Sequence, residues 1–164
     1  MDVAKIVTPE RVRCEAQVGS KKHALDVLSQ MLSAAVGNVS AGRILEGLAA
    51  RERLGSTGLG ASVAMPHTRL GGIDKVTGAF LRLDEPVPFD SLDQRPVDLL
   101  FGLVVPDGLR PAELTEVREL VKTLKSPELQ QRLRAADGAD ELYDVLTGTP
   151  TVRSLSPAQR TTGG

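Results

Sequence analysis

Aromatic residues are nearly absent from this chain: three Phe, one Tyr and no Trp. That removes the stacking platforms on which proteins hold single-stranded nucleic acids, and the aromatic faces that bind sugars. An excess of either charge is also missing. Twenty basic residues stand against 21 acidic ones, so neither DNA nor an anionic membrane attracts the molecule as a whole. The single cysteine, Cys14, excludes an internal disulfide and suits a reducing compartment. No apolar run approaches the ~20 residues of a membrane span. Asp2 and Lys5 interrupt the N-terminus before a signal-peptide core can develop. The expectation is a cytoplasmic protein with no nucleic-acid partner and no membrane span. Histidines number two, His23 and His67. With one cysteine they form no metal-ligand spacing, so no metal site is expected. No Gly-x-Ser-x-Gly elbow or Ser/His/Asp order points to a hydrolase.

What is present is a chain of 164 residues with ordinary apolar content, 41%, enough for one well-buried core. Thr8-Pro9-Glu10 is a helix-start signal. Val12, Cys14, Ala16 and Val18 alternate with polar residues at strand period. Ser20 is placed to cap a helix with Leu25, Leu28, Leu32 and Ala35 on one face, ended by Gly37-Asn38. Ser40 caps a second helix over 41–53, with Ile44, Leu45 and Leu48 inward. Strands are predicted over 63–65, over 76–83 with Arg82 facing outward, and over 97–105, whose near-continuous apolar run fits a central strand covered on both faces. Glu85-Pro86-Val87-Pro88-Phe89 reads as a loop or irregular edge. Pro111 opens a helix with Leu114, Val117, Val121 and Leu124 inward. Ser126-Pro127-Glu128 starts a short one, and a last helix spans 139–146. After Pro150 little remains to bury, so residues 150–164 read as a flexible tail on a 1–149 domain. Helices alternating with strands indicate an α/β fold, one sheet with helices on both faces.

The chemistry concentrates in residues 51–69, Arg-Glu-Arg-Leu-Gly-Ser-Thr-Gly-Leu-Gly-Ala-Ser-Val-Ala-Met-Pro-His-Thr-Arg. The order is helix, glycine loop, strand, so this is neither a Walker A loop nor a dinucleotide fingerprint. Gly55, Gly58 and Gly60 serve either a tight turn that needs positive φ or a phosphate cradle built from backbone N–H groups. His67 follows Pro66 at the end of a predicted strand, with Arg51 and Arg69 on either side in sequence. A lone histidine is commonly a packed or surface residue. Here the arginines favour the other reading, a histidine that is its own nucleophile and makes a labile P–N bond. His23, Lys21 and Lys22 sit at a helix start and read as solvated surface.

The run Arg-Glu-x-x-Gly-Ser-Thr-Gly-Leu-Gly followed by Ala-Met-Pro-His-Thr-Arg resembles the signature of the fructose/mannitol-type enzyme IIA domains of the bacterial phosphotransferase system. It is most similar to the stand-alone nitrogen-regulatory branch. The likeness spans about residues 5 to 147 and includes Thr8-Pro9-Glu10-Arg11-Val12, Ser20-Lys21-Lys22, Val105-Pro106, Leu133-Arg134-Ala135-Ala136 and Glu141-Leu142-Tyr143. The resemblance implies a single α/β domain with a mixed parallel and antiparallel sheet sandwiched between helices. It implies that His67 accepts a phosphoryl group from a phosphohistidine on HPr or a similar carrier, with Arg51 touching that group. In this reading Arg69, Ser56, Thr57 and the Gly58 loop help to hold it, and neither a cofactor nor a metal is called for. Regulatory partners such as kinases or potassium transport proteins follow from the same resemblance.

One position departs from the family pattern. Many members carry a second histidine at the start of the helix after the Val-Pro turn, and Glu113 stands there. It is either an ordinary first-turn acid or an acceptor for the Nδ1–H of His67. Two competing functions stay open at this level: a transport subunit that passes phosphate to a IIB domain, and a binding module that no longer takes phosphate.

Overall fold

The apolar run that begins at Val97 becomes the spine of the sheet. The computed structural model describes residues 2–15 and 17–148. In chain order it has 3-10 turns at Val3–Lys5 and Pro9–Arg11, then β1 (Val12–Glu15), α1 (Lys21–Val36) and α2 (Ala41–Leu54). Next come β2 (Gly58–Gly60), β3 (Val63–Ala64), β4 (His67–Leu70), β5 (Thr77–Val87) and β6 (Val97–Pro106). Three helices close the described chain, α3 (Pro111–Leu124), α4 (Pro127–Ala135) and α5 (Ala139–Thr147). The predicted tail, residues 150–164, lies outside the described residues.

Among the described residues the sheet has six strands in the order β1-β5-β6-β3-β2, with β4 also paired to β6. It is mixed: β1 runs parallel to β5, β5 antiparallel to β6, and both β3 and β4 parallel to β6. β6 is therefore covered on both edges, and its ten residues are buried except half-buried Asp98. Helices α1 and α2 pack on one face, over Ala79, Leu81, Leu100 and Val104. The N-terminal turns and α3 to α5 pack on the other, over Phe80, Leu99, Phe101 and Leu103. Alternate residues of one strand thus feed two cores, and each fully buried Leu or Phe contributes ~1.5–3 kcal/mol.

The caps read from sequence are made. Ser20 accepts from the His23 amide at 3.0 Å, Ser40 from Arg43 at 3.1 Å and Ser126 from Leu129 at 3.2 Å. Gly37 ends α1 at φ 67°, a left-handed region that glycine enters freely.

Several expectations give way. β5 continues through Glu85-Pro86 to Val87, with an irregularity between Arg82 and Val87 where proline cannot donate to the ladder. Arg82 does not face solvent: it donates to the carbonyls of Leu133 at 2.9 Å and Ala136 at 2.7 Å, satisfying the end of α4. Ala35 is exposed, because α1 turns its buried stripe through Ala24, Leu25, Leu28, Met31 and Leu32 instead. On α3 Val117, Val121 and Leu124 face inward as expected, joined by Glu113 and Leu120, while Leu114 is 39% exposed. A short strand, β2, replaces part of what reads in sequence as the glycine loop, and a further one, β4, follows the predicted strand over 63–65. The turn between β2 and β3 uses Ala61 at φ 55° and Ser62 at φ 65°, the mirror-image geometry that fits a two-residue hairpin.

Candidate functional site: a histidine at a strand break

The strand that delivers His67 is broken in two. Val63 and Ala64 pair with Leu99 and Leu100, and His67 resumes the same edge opposite Leu103. Between them Pro66 has no N–H to give, yet its carbonyl accepts from Leu103 N at 2.9 Å and keeps the register. His67 therefore opens β4, where the sequence placed it at the end of a strand. The break frees the Met65 carbonyl from the ladder, and His67 Nδ1 lies 2.8 Å from it. A carbonyl only accepts, so Nδ1 carries the hydrogen, and in the neutral ring the lone pair is on Nε2. The ring is half-buried.

The glycine loop is tied to this break: Met65 N donates to the Thr57 carbonyl at 3.0 Å. Its own donors are engaged inside the protein. Ser56 Oγ donates to the Phe89 carbonyl at 2.7 Å and accepts from Gly58 N at 3.1 Å. Thr57 N donates to the Glu52 carboxylate at 3.0 Å, and the Thr57 hydroxyl bonds to that carboxylate as well. The side chains of Ser56 and Thr57 and the Gly58 amide thus build a fixed loop. Gly58 admits the neighbouring segment: a Cβ there would lie 2.1 Å from Ser91 Oγ.

The arginines stand in different layers. In β4, Thr68 faces α2, where Gly47 comes so near that a Cβ would meet Thr68 Oγ1 at 2.5 Å. Neighbouring strand residues alternate, so His67 and Arg69 point to the α3 side, the side of Leu103. Arg69 is exposed. Arg51 belongs to α2, in the opposite layer, and its Nη1 donates to the Gly55 carbonyl at 2.7 Å. A guanidinium has further N–H groups, which that single bond leaves free for a ligand. The cation is thereby set on the loop that separates it from the His67 strand.

Glu113 is buried on the α3 side, and its acceptor is already engaged. Oε1 takes the Arg110 amide at 3.1 Å and Arg110 Nε at 3.0 Å. This is half of a capping box, since an arginine side chain has no acceptor to complete it. The Arg110 side-chain bond, then its amide and charge, hold the Glu113 carboxyl below the ordinary glutamate range. Of the two readings the sequence left open for Glu113, its bonds are those of a first-turn acid, and His67 Nδ1 lies against the Met65 carbonyl instead.

Lys21 does not stand on solvated surface, as expected from its place at a helix start: its side chain is 20% exposed and paired with Glu52, to which the sequence assigned no role. Lys21 Nζ lies 2.8 Å from Glu52 and 3.6 Å from Asp90, donates to the Phe89 carbonyl at 3.3 Å, and sits 4.6 Å from the centre of the Phe89 ring. A signal existed: Lys21 is the first residue of α1, where the helix dipole disfavours a cation unless an anion answers it. Among the described residues no group of three or more His, Cys, Asp or Glu could hold a metal ion, and no helix is long and apolar enough to cross a membrane.

Comparison with known proteins identifies relatives of the chain. The nitrogen regulatory protein of Pseudomonas aeruginosa is 40% identical over 142 residues, which cover 87% of this chain and 92% of that protein. The nitrogen regulatory protein of Bradyrhizobium diazoefficiens is 35% identical over 150 residues, 92% of this chain and 97% of that one. The crystal structure of nitrogen regulatory protein IIA-Ntr from Neisseria meningitidis superposes with a TM-score of 0.82 at 35% identity, covering 88% of this chain and 99% of that one. Residues 5–148 match the model of one family. The chain belongs to that family, the phosphoenolpyruvate-dependent sugar phosphotransferase system EIIA 2.

Proposed function

We propose that this protein is a phosphocarrier with a regulatory output, loaded on His67 by a phosphohistidine of a small HPr-like carrier. One observation carries the reading: His67 Nδ1 lies 2.8 Å from the Met65 carbonyl, which fixes the ring's direction and, in the neutral ring, leaves the lone pair on Nε2. The Nε2 lone pair attacks phosphorus in line with the donor's P–N bond. The new P–N bond forms at His67 as the donor's bond breaks, and that electron pair returns to the donor's ring nitrogen. The His67 ring gains positive charge as the bond forms, and the Nδ1–H to carbonyl bond strengthens with it. Arg51 and Arg69 supply cations for the phosphoryl oxygens from the two sides of the sheet edge. Such transfer needs positioning and charge more than covalent help from the protein. Relatives named nitrogen regulatory proteins support a regulatory output.

The test is intact mass after incubation with phosphoenolpyruvate, enzyme I and the carrier. A gain of one phosphoryl group that is acid-labile, that His67→Ala abolishes and that His23→Ala leaves in place is the expected result. No gain in the wild type removes the reading. Onward passage of the label to a IIB domain makes the chain a transport subunit instead.

A further inference from the structure

A buried ion pair stands behind the glycine loop, and the reading above gives it no part. Glu52 is 5% exposed at its side chain and Lys21 is 20% exposed. Burying two charges is costly unless they are paired and further hydrogen-bonded. Both conditions are met here, and besides the exposed Asp90 at 3.6 Å from Lys21 the additional bonds lead to the loop. Glu52 receives the amide and the hydroxyl of Thr57. Lys21 holds the Phe89 carbonyl at 3.3 Å, the same oxygen that takes the Ser56 hydroxyl at 2.7 Å. The loop is therefore clamped at Thr57 by the anion and at Ser56 by the carbonyl that the cation anchors. From Thr57 the path runs on through its own carbonyl to Met65 N at 3.0 Å, and from the Met65 carbonyl to His67 Nδ1 at 2.8 Å. Arg51 closes the clamp, bonded to Gly55 at the start of the loop.

We propose that Lys21 and Glu52 are positioning residues of the phosphoryl-transfer site, which set the Thr57–Met65 register and through it the direction of His67 Nε2. The inference rests on the phosphocarrier reading. The pair reaches His67 only through the loop, and three elements must be in place before it can act: the first turn of α1, the last turn of α2 and the segment at Phe89. Lys21 also neutralises Glu52, whose carboxylate would otherwise repel an arriving phosphoryl group at the loop.

The experiment measures single-turnover phosphorylation by the phosphorylated carrier, at subsaturating and saturating carrier, in wild type, Lys21→Met, Lys21→Arg, Glu52→Gln and the Lys21→Met/Glu52→Gln double variant. Thermal stability is measured alongside, together with the 15N shifts of the His67 ring. Displacing a reacting atom by about 1 Å costs on the order of 100-fold. The expected result is therefore a roughly 10- to 100-fold fall in the saturating rate for Lys21→Met and Glu52→Gln. The half-saturating carrier concentration stays unchanged, and the ring shifts move toward a mixed tautomer. Lys21→Arg recovers most of the rate, and the double variant is no worse than the worse single one, because the two act as a unit. Saturating rates equal to wild type, or a loss confined to carrier affinity, overturn the proposal. So does additive loss in the double variant, or an unshifted His67 ring. If a variant does not fold, Lys21→Arg and the ring shifts of the remaining variants decide. Wild type that takes no phosphate removes the phosphocarrier reading itself, a separate result from wild type that reacts and variants that react equally fast.

Discussion

Arg51 is the residue on which the charge argument turns. Its bond to the Gly55 carbonyl at 2.7 Å makes it both a loop anchor and a cation, so truncation removes two things at once. Arg51→Ala is expected to slow transfer by ~10³-fold or more, in line with arginine clamps on transferring phosphoryl groups. Arg51→Lys restores charge without the planar fork and recovers only part of the rate. Single-turnover kinetics decide: near-normal transfer with lysine means a solvated arginine. Glu113 gives a second prediction at this scale, through pH. Its carboxyl is held low in the folded protein by Arg110. A depressed folded-state value contributes stability above the unfolded glutamate value, and that stability is lost as pH falls through the folded one. Wild type therefore loses more thermal stability than Glu113→Gln on titration from neutral into the acid range. Equal losses mean that the bond to Arg110 contributes nothing in solution. The same variant tests the family departure. A carboxylate on the His67 side of the sheet disfavours a phosphoryl dianion, although Arg110 offsets part of its charge, so Glu113→Gln is expected to lengthen the life of the phosphorylated form.

Helix α2 holds two glycines with opposite prospects. Gly42 meets nothing within 4 Å of a Cβ, whereas Gly47 would place one 2.5 Å from Thr68 Oγ1 and 3.1 Å from Thr68 Cβ. Helix propensity favours alanine at both by up to about 1 kcal/mol. At Gly47 that gain competes with overpacking of a helix against a strand, typically about 1–3 kcal/mol, so the clash wins. Gly42→Ala is expected to be neutral to stabilising, and Gly47→Ala destabilising, in denaturant midpoints at constant m-value. Gly47→Ala also pushes α2 away from β4, the strand that His67 opens. Its transfer rate should fall, while that of Gly42→Ala should not. A stabilised Gly47→Ala would mean that the close approach of α2 to β4 is absent in solution.

At the scale of the molecule the surface is polar with few exceptions. Among the described residues the large exposed hydrophobics are Leu54 (85%), Leu92 (100%) and Leu114 (39%). The first two flank the glycine loop: Leu54 precedes Gly55, and Leu92 follows Ser91, which packs on Gly58. Exposed apolar side chains beside a transfer site fit a protein donor, since a partner can cover them. Leu54→Ser and Leu92→Ser are expected to raise the half-saturating concentration of phosphorylated carrier several-fold, with stability and saturating rate unchanged. Unchanged affinity in both variants would place the docking surface elsewhere.

What the sequence by itself determined is whatever depends on neighbours along the chain. Ser20, Ser40 and Ser126 cap because a cap needs only the next three residues. The apolar run at Val97 marked a central strand because burial on both faces leaves no polar positions to alternate. The Arg51 to Arg69 run marked the candidate site because its residues lie within one stretch. The tertiary structure decided everything that depends on distant partners. Lys21 and Glu52 are 31 positions apart, and nothing local pairs them. Arg82 fills backbone acceptors that only packing presents, at the end of α4. The His67 tautomer rests on a backbone carbonyl that becomes available only because β3 and β4 share one edge of β6 with a proline between them. Periodicity names the face of a strand, but not where its ladder breaks, because the break is set by the partner strand's register rather than by the residues that break.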